Sequence, residues 1–310
     1  RESQVGARRI HTELRAEDVD KLHRDTEGWA AALWLAGLVL ERHGGRSEFI
    51  ERFTGSSQIV ADYLMEEVFA AQPAQMQEFL LRTSILRTFD GPTCEAVLGI
   101  GPELLRQAAA ADLFLVPMED EGTYRYHSLF AEFLRAQLVR ERPAEIPHLH
   151  LAASRWYESA GRPVPAIDHA IDGGHDQRAM DLLEGQADAL LEIGRMRRLA
   201  RWFDALPAAA VQARPLLSMA KVWAVCFSRG PWEAMRLLDL SGWTSEEPVV
   251  APHILALRPV LLGMMDQYES AYEEGRRSLQ ALPTGHAFAD SVLANTLAYA
   301  FLVMGQYRES

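Results

Sequence analysis

The second half of the sequence carries a repeating pattern that restricts the fold more than any other feature. A small residue is followed three positions later by an aromatic residue, and a turn residue comes shortly after, as in Ala153-x-x-Trp156 and Ala220-x-x-Trp223. The predicted turn positions are Gly161, Gly194, Gly230, Asp266 and Gly305, so that consecutive turns lie 33, 36, 36 and 39 residues apart. This period is close to that of tetratricopeptide (TPR) helix pairs. It predicts a TPR-like α-superhelix over residues 147–310.

Residues 58–142 show a different order of elements. Hydrophobic periodicity predicts four helices, and the third of them begins at Gly91-Pro92 and continues through Leu98. Two short β-rich runs around the acidic turn 119–123 predict a hairpin, and a last helix follows directly. This order is typical of a winged-helix-like domain. Residues 1–57 are predicted to form a helical segment, in which Thr26 caps the second helix. The expected fold class is therefore mainly α, with one β-hairpin.

Charge argues against a nucleic-acid surface in this stretch. The net charge is −12, with a calculated pI near 5.3. Residues 58–140 contain six arginines and twelve acidic residues. Because affinity for DNA depends on neutralising phosphates with Lys and Arg, a winged-helix-like domain of this charge is expected to face protein and not DNA.

The sequence also lacks the motifs and spacings that indicate catalysis, metal binding or membrane insertion. The two cysteines, Cys94 and Cys226, suit a reducing cytoplasm and not a disulfide framework. His148 and His150 lack a third ligand at useful spacing, so no metal is expected. The sequence has no G-x-x-x-x-G-K-[ST] phosphate loop and no G-x-S-x-G serine, so it is expected not to be an enzyme. The longest apolar run, Ala30–Leu40, is about half a membrane span.

Several local phrases resemble one family of regulators. In order along the chain they are TEGWAAALWLA (26–36), IVADYLMEEV (59–68), FLLRTSIL (79–86), DLFLVP (112–117) and YRYHSLF (124–130). Together they resemble the MalT-like, LuxR-family signal-transduction ATPases that regulate transcription. Since the sequence opens without Met and stops within a repeat, it is interpreted as an internal piece of such a protein.

The resemblance implies what this stretch does. In the family, a P-loop NTPase precedes a helical arm, a winged-helix domain and a superhelical sensor, and a LuxR-type DNA-binding domain often follows. ADP holds the resting state, while ATP with an inducer or regulatory protein allows self-association. ATP or ADP would thus be the cofactor of the full-length protein, without tight binding to this fragment, and DNA would be contacted only by a domain outside it. Some serine/threonine kinases carry a similar module, and a plain TPR-like interaction scaffold is a further alternative.

His127 is the first candidate site residue. It stands where the predicted hairpin returns into a helix, at the end that favours anions. The resemblance implies that a histidine at this place contacts the phosphate of ADP. The alternative is a core histidine that caps its own helix.

Four residues of the repeat region are candidates for a ligand or partner groove. Most tryptophans at repeat spacing are expected to pack between helix pairs, but Trp232 and Trp243, beside glycines, depart from that spacing. Arg197 and Arg201 belong to a basic cluster after Gly194, which is either a solvated face or an anion or partner site. An inducer or a regulatory protein is the expected partner.

Overall fold

The computed structural model describes Lys21 and residues 58–99, 101–111 and 113–305. In this part of the chain it places sixteen α-helices and a single two-stranded sheet, so the expected mainly α class with one β-hairpin is confirmed. The chain divides into two compact units between Trp156 and Tyr157. Apart from Lys21, the predicted segment 1–57 lies outside the described residues, and the domain limits at 57, 142 and 147 stay predictions. No helix in the described ranges is long and apolar enough to cross a membrane.

The first unit follows the predicted order of helices, hairpin and helix. Its elements are α1 (Gln58–Tyr63), a π-helical segment (Leu64–Phe69), α2 (Ala74–Thr83), α3 (Gly91–Leu98), α4 (Glu103–Ala110), β1 (Leu115–Pro117), β2 (Tyr124–Tyr126), α5 (Ser128–Glu141), a 3-10 turn (Pro143–Glu145) and α6 (Ile146–Ser159), whose last three residues fall in the second unit. Helix α3 has the bounds that the sequence predicts. Its first turn is closed by the Asp90 carboxylate, which accepts a hydrogen bond from the Thr93 N–H at 2.8 Å.

The hairpin is short and its register places Leu115 opposite Tyr126 and Pro117 opposite Tyr124. Gly122 supplies the left-handed backbone of its turn, at φ +78°. Phe89 forms an isolated bridge with Tyr124, which attaches the hairpin to the segment between α2 and α3. The hairpin is thus one wall of the unit and not an independent element.

A cluster of aromatic side chains forms the core of the first unit. Phe79, Phe89, Phe130 and Phe133 are almost completely buried. The Phe130 ring lies 5.6 Å from the ring of Tyr126 and 6.1 Å from that of Phe133. These rings join residues of α2, the hairpin and α5, so the unit has a single core built from contacts distant in sequence.

The second unit is built from consecutive helices. After the end of α6 these are α7 (Pro163–Asp172), α8 (Asp176–Glu184), α9 (Ala187–Glu192), α10 (Met196–Ala205), α11 (Ala208–Gln212), α12 (Pro215–Arg229), α13 (Pro231–Ser241), α14 (Ala251–Met264), α15 (Tyr268–Ser278), a 3-10 turn (Leu279–Ala281) and α16 (Ala287–Val303). Neighbouring helices pack as pairs, among them α7 with α8, α12 with α13, and α14 with α15. Helices α15 and α16 approach closely at Gly275, because a Cβ on this residue would lie 2.9 Å from Leu297 Cγ.

All five predicted turn positions have left-handed backbone. Their φ values are +67° at Gly161, +70° at Gly194, +110° at Gly230, +60° at Asp266 and +73° at Gly305. Asp266 is the exception in residue type, since non-glycine residues seldom adopt this region. The repeat spacing thus locates the points at which the chain reverses.

The small-x-x-aromatic pattern is buried in one case, partly buried in a second and not in the third. Ala220 and Trp223 are both buried in α12, as close packing between helix pairs requires. Ala153 is also buried, while Trp156 is half-buried. The third occurrence is Ala298-x-x-Phe301 in α16, where Ala298 is exposed and Phe301 is half-buried. The last repeat therefore keeps its turn position but presents a different face to its neighbours.

Candidate functional site

His127 occupies the N-cap position of α5. It has φ −55° and ψ +140°, and its side chain makes no capping hydrogen bond to the helix. Its backbone N–H donates to the Phe114 carbonyl at 2.8 Å, and its carbonyl accepts from the Ala131 N–H at 2.9 Å. The side chain is buried, at 8% exposure. The hairpin therefore fixes this histidine by its backbone, at the end of α5 where the helix dipole is positive.

The basic cluster of the second unit borders a groove of about 630 Å³. We call it the arginine groove, and its walls include Glu192, Arg195, Arg197, Arg198, Phe227 and Phe288. The arginines stand at the beginning of α10, while Phe227 lies in the last turn of α12 and Phe288 in the first turn of α16. The structure thus brings together residues almost a hundred positions apart, and the lining combines three arginines with two aromatic rings.

Arg201 has a different role from Arg197. Its guanidinium lies 3.5 Å from the Asp168 carboxylate, which also accepts a hydrogen bond from the Trp202 indole N–H at 2.7 Å. Asp168 belongs to α7 and Trp202 to α10. Arg201 therefore reinforces helix packing, and it is absent from the described lining of the arginine groove.

Trp232 and Trp243 do not come together. They flank opposite ends of α13, whose eleven residues span about 16 Å at 1.5 Å per residue. Trp232 is 70% exposed, whereas Trp243 is half-buried and its indole nitrogen has no hydrogen-bond partner among the described residues. Neither ring belongs to the described walls of the arginine groove. The four predicted groove residues therefore do not form one site, and only Arg197 lines this cavity.

The aromatic wall of the arginine groove is supported from behind by Trp223. The Phe227 ring stacks on the Trp223 indole at 6.0 Å, and the Phe288 ring meets it edge-on at 5.1 Å. Trp223 is fully buried, and its indole N–H donates to Nδ1 of His253 at 3.1 Å. The two rings are thus held by contacts that continue into the core.

Two histidines and one carboxylate meet beneath this wall. The rings of His253 and His286 lie 4.2 Å apart, and Nε2 of His286 is 3.1 Å from Oδ1 of Asp188, without the alignment of a hydrogen bond. Nδ1 of His286 accepts the Ala289 N–H at 3.2 Å and so caps α16. Burial, and then the neighbouring His286, lowers the pKa of His253 from 6.5 to about 4. His253 is therefore neutral at physiological pH.

The same three residues have the composition of a metal site, since one ligand atom of each lies within 4.8 Å of the others. The hydrogen bonds argue against this use. In both rings Nδ1 accepts an N–H, so a neutral ring carries its proton on Nε2 and has no free lone pair there. A metal would have to displace the Trp223 or Ala289 donor. The donor set fits a polar cross-link between helices better than a metal centre.

Sequence reasoning missed this cross-link. Asp188 lies 65 residues before His253, so no local motif joins them. His253 and His286 are 33 residues apart, close to one repeat. That spacing is the one signal that could have indicated that they lie near each other.

Neither cysteine offers a nucleophile. Both are buried and free. Burial raises the pKa of Cys226, and burial together with Asp90 that of Cys94, to about 12 in each case. A thiol of such pKa carries almost no thiolate at neutral pH.

Comparisons with known proteins identify a family domain within the first unit, and the alignments with whole relatives are longer than that unit. The family model described as the MalT winged helix domain matches residues 65–146. The chain is 34% identical to serine/threonine-protein kinase PknK of Mycobacterium tuberculosis over 225 residues, which are 72% of this chain and 20% of the kinase. It is 31% identical to HTH-type transcriptional regulator MalT of Klebsiella pneumoniae over 220 residues, 69% of this chain and 24% of that regulator. The aligned part is thus about a fifth to a quarter of these relatives.

Proposed function

This chain is MalT-like and carries a MalT winged helix domain, and from that premise we propose that it is the regulatory coupling and sensor module of an ATP-dependent, LuxR/MalT-type transcriptional regulator. In this proposal the first unit responds to the nucleotide held by a preceding ATPase domain. The second unit binds an inducer or a regulatory protein. Binding there shifts the longer protein, in the cytoplasm, from a resting state to a self-associating one.

The position of His127 supports the nucleotide link. His127 is buried at the positive end of a fourteen-residue helix, and this supports a phosphate contact because helix N-termini and imidazole N–H groups both favour anions. The backbone bond to Phe114 fixes its distance from the hairpin. The phosphate would come with the nucleotide of the ATPase domain, so we expect this chain alone to bind ADP weakly or not at all.

The charge and the side-chain chemistry of the chain support a regulatory module that neither binds DNA nor catalyses a reaction. The winged-helix region has twice as many acidic residues as arginines, so we assign DNA binding to a domain outside it. The cysteines are buried, and Nδ1 of His253 and Nδ1 of His286 each accept a hydrogen bond. We accordingly propose no catalytic role for these residues.

The test is the ADP affinity of the longer protein carrying His127→Ala. Loss of one charge-assisted contact should weaken ADP binding about tenfold in calorimetry. The control is His148→Ala, which removes an exposed histidine from the same unit and should leave the affinity unchanged. Equal ADP affinity in the His127 and His148 variants would refute the nucleotide link and leave the interaction scaffold as the better proposal.

A second candidate is the regulatory region of a serine/threonine kinase. The 34% identity to PknK over 225 residues favours it. The residues that precede this chain in its gene decide between the two: a P-loop motif supports the regulator, and a kinase motif set supports the kinase.

A further inference from the structure

We propose that the arginine groove is a binding site for a small organic anion, a carboxylate, sulfonate or phosphate on a flat apolar body. As a sensing site the groove rests on the function proposed above, but its binding can be measured independently of that function. The inference follows from the charges at the start of α10, from the two rings that line the same groove, and from the size of the groove.

The positive charges at the start of α10 interact unfavourably with the dipole of that helix. Arg195 is the N-cap residue, Arg197 and Arg198 follow in the first turn, and that turn contains no acidic residue. Since the N-terminus of a helix is itself positive, cations there are unfavourable and carboxylates are preferred. A sequence that breaks this preference without local compensation is typical of a functional site.

The described part of the chain places no carboxylate against these cations. Arg198 lies over the Trp202 ring, 5.9 Å from its centroid, but no carboxylate pairs with Arg195, Arg197 or Arg198 in the described ranges. Other arginines of the second unit, such as Arg214 and Arg229, have carboxylate partners. Glu192 is the acidic residue in the described lining, so the groove carries three positive charges and one negative. In a chain of net charge −12, such a local excess of positive charge favours an anionic ligand.

Two aromatic side chains give the same groove an apolar surface. Phe227 is 44% exposed, although its other face stacks on the buried Trp223. Phe288 is half-buried beside it and meets the same indole. These rings are held in place by the core, so a flat apolar body could bind against them without a large ordering cost.

The size of the groove selects a small molecule. Its volume of about 630 Å³ lies within the usual range of small-ligand sites, about 300–1,000 Å³. A guanidinium can hold a carboxylate, sulfonate or phosphate through two parallel hydrogen bonds. The arginines would thus bind the acid group and the phenylalanines the apolar body, while Glu192 would disfavour a second negative charge.

The experiment is a fluorescence titration of the 310-residue chain with 1-anilinonaphthalene-8-sulfonate, beside its uncharged parent N-phenyl-1-naphthylamine. The double variant Arg195→Gln/Arg197→Gln should bind the sulfonate about tenfold more weakly, because two charge-assisted contacts are lost. The matched control is Arg276→Gln/Arg277→Gln, two exposed arginines of α15 that are absent from the described groove lining. It should change the affinity less than twofold, and circular dichroism should show equal helicity in all variants.

Two further titrations test the role of charge, one with the variant Glu192→Gln and one with the uncharged parent compound. Glu192→Gln should tighten sulfonate binding about two- to threefold, since it removes the opposing charge. The uncharged parent should be insensitive to the arginine substitutions. The proposal is overturned if both double variants lose the same affinity, if the uncharged parent follows the sulfonate, or if Glu192→Gln does not strengthen binding.

The outcome is separable from that of the nucleotide experiment. If the arginine substitutions left sulfonate affinity unchanged while His127→Ala still weakened ADP binding, the anion site would be refuted and the coupling function would stand. If the arginine substitutions weakened sulfonate binding while His127→Ala left ADP affinity unchanged, the anion site would stand and the nucleotide link would be refuted.

Discussion

The two units of the molecule connect their helices in different ways. In the first unit the side chains of α2, the hairpin and α5 meet in one aromatic core, and the Thr83 and Tyr126 hydroxyls lie 2.6 Å apart inside it. In the second unit, tryptophans link helices about one repeat apart. Trp202 donates to Asp168, 34 residues earlier, and Trp223 donates to His253, 30 residues later. The first unit thus has one shared centre, while most helix contacts of the second unit join neighbouring helices, and the contact of Asp188 with His286 is a longer-range exception.

This difference leads to different expectations for stability. A unit with one core unfolds as a whole, so damage at any buried point spreads through it. In a repeat array each pair contacts mainly its neighbours, so stability is close to a sum of local terms. Substitutions in the second unit should therefore act locally, and hydrogen exchange can measure how far each effect extends.

The largest effect is expected for Phe130→Ala in the first unit. Phe130 is completely buried and packs against Phe114, Tyr126 and Phe133. Loss of a buried ring with little room for collapse should lower the free energy of unfolding of this unit by about 4 kcal/mol. Urea unfolding gives the magnitude. Hydrogen exchange should show faster exchange in α2, α3 and α5 alike.

A control for this prediction lies in the same helix. Val139 is 60% exposed, so Val139→Ala should change the free energy of unfolding by less than about 0.5 kcal/mol. If Phe130→Ala accelerated exchange only in α5, the first unit would not be a single cooperative core, and the contrast between the units would disappear.

The second prediction concerns acid and the second unit. His253 has a folded-state pKa of about 4 against 6.5 when unfolded, and it faces Trp223, His286 and Asp188. Between pH 6.5 and pH 4 the unfolded chain binds a proton that the folded chain excludes. The stability of this unit should therefore fall as the pH falls through that window, by about 3 kcal/mol in total.

The matched variant for this prediction is His253→Gln, which keeps an acceptor for Trp223 but does not titrate. Urea unfolding of the 310-residue chain at several pH values should show a shallower loss for the variant, and the difference between the two curves should change between pH 6.5 and pH 4 and stay constant below pH 4. Parallel curves would mean that protonation of His253 does not set the acid sensitivity of the second unit.

The comparison also explains what the sequence could reveal. The turn glycines and the bounds of α3 were predictable because left-handed backbone and helix starts depend on a few adjacent residues. The order of elements in the first unit was predictable for the same reason. These features are local, and a local feature appears in the sequence as a spacing or a residue type.

The site was harder to predict because its parts come from distant helices. Arg197 was singled out from its neighbours in sequence, but Phe227 and Phe288, which line the same groove, are 30 and 91 residues further along. Arg201, four residues from Arg197, follows the same basic pattern and instead lies against Asp168. Which member of a basic cluster faces a groove depends on packing between helices, and a spacing does not record it.

The smallest effect is expected for Gly194→Ala, at the turn between α9 and α10. Gly194 has φ +70°, and nothing lies within 4 Å of the position that a Cβ would take. The cost is therefore that of left-handed backbone alone, about 1 kcal/mol. The control Gly185→Ala, at φ −74° and without crowding, should be neutral or slightly stabilising, because alanine restricts the unfolded chain.

Gly122→Ala places the same backbone cost in the first unit, since Gly122 has φ +78° and equally open surroundings. The two substitutions should therefore lower stability by similar amounts, about 1 kcal/mol each. They should differ in how many helices show faster hydrogen exchange. Hydrogen exchange should rise throughout the first unit in Gly122→Ala, because a single core transmits the loss to every helix around it. In Gly194→Ala it should rise mainly in α9 and α10, and equal spread in both variants would show that the repeat helices are as cooperative as the winged-helix core.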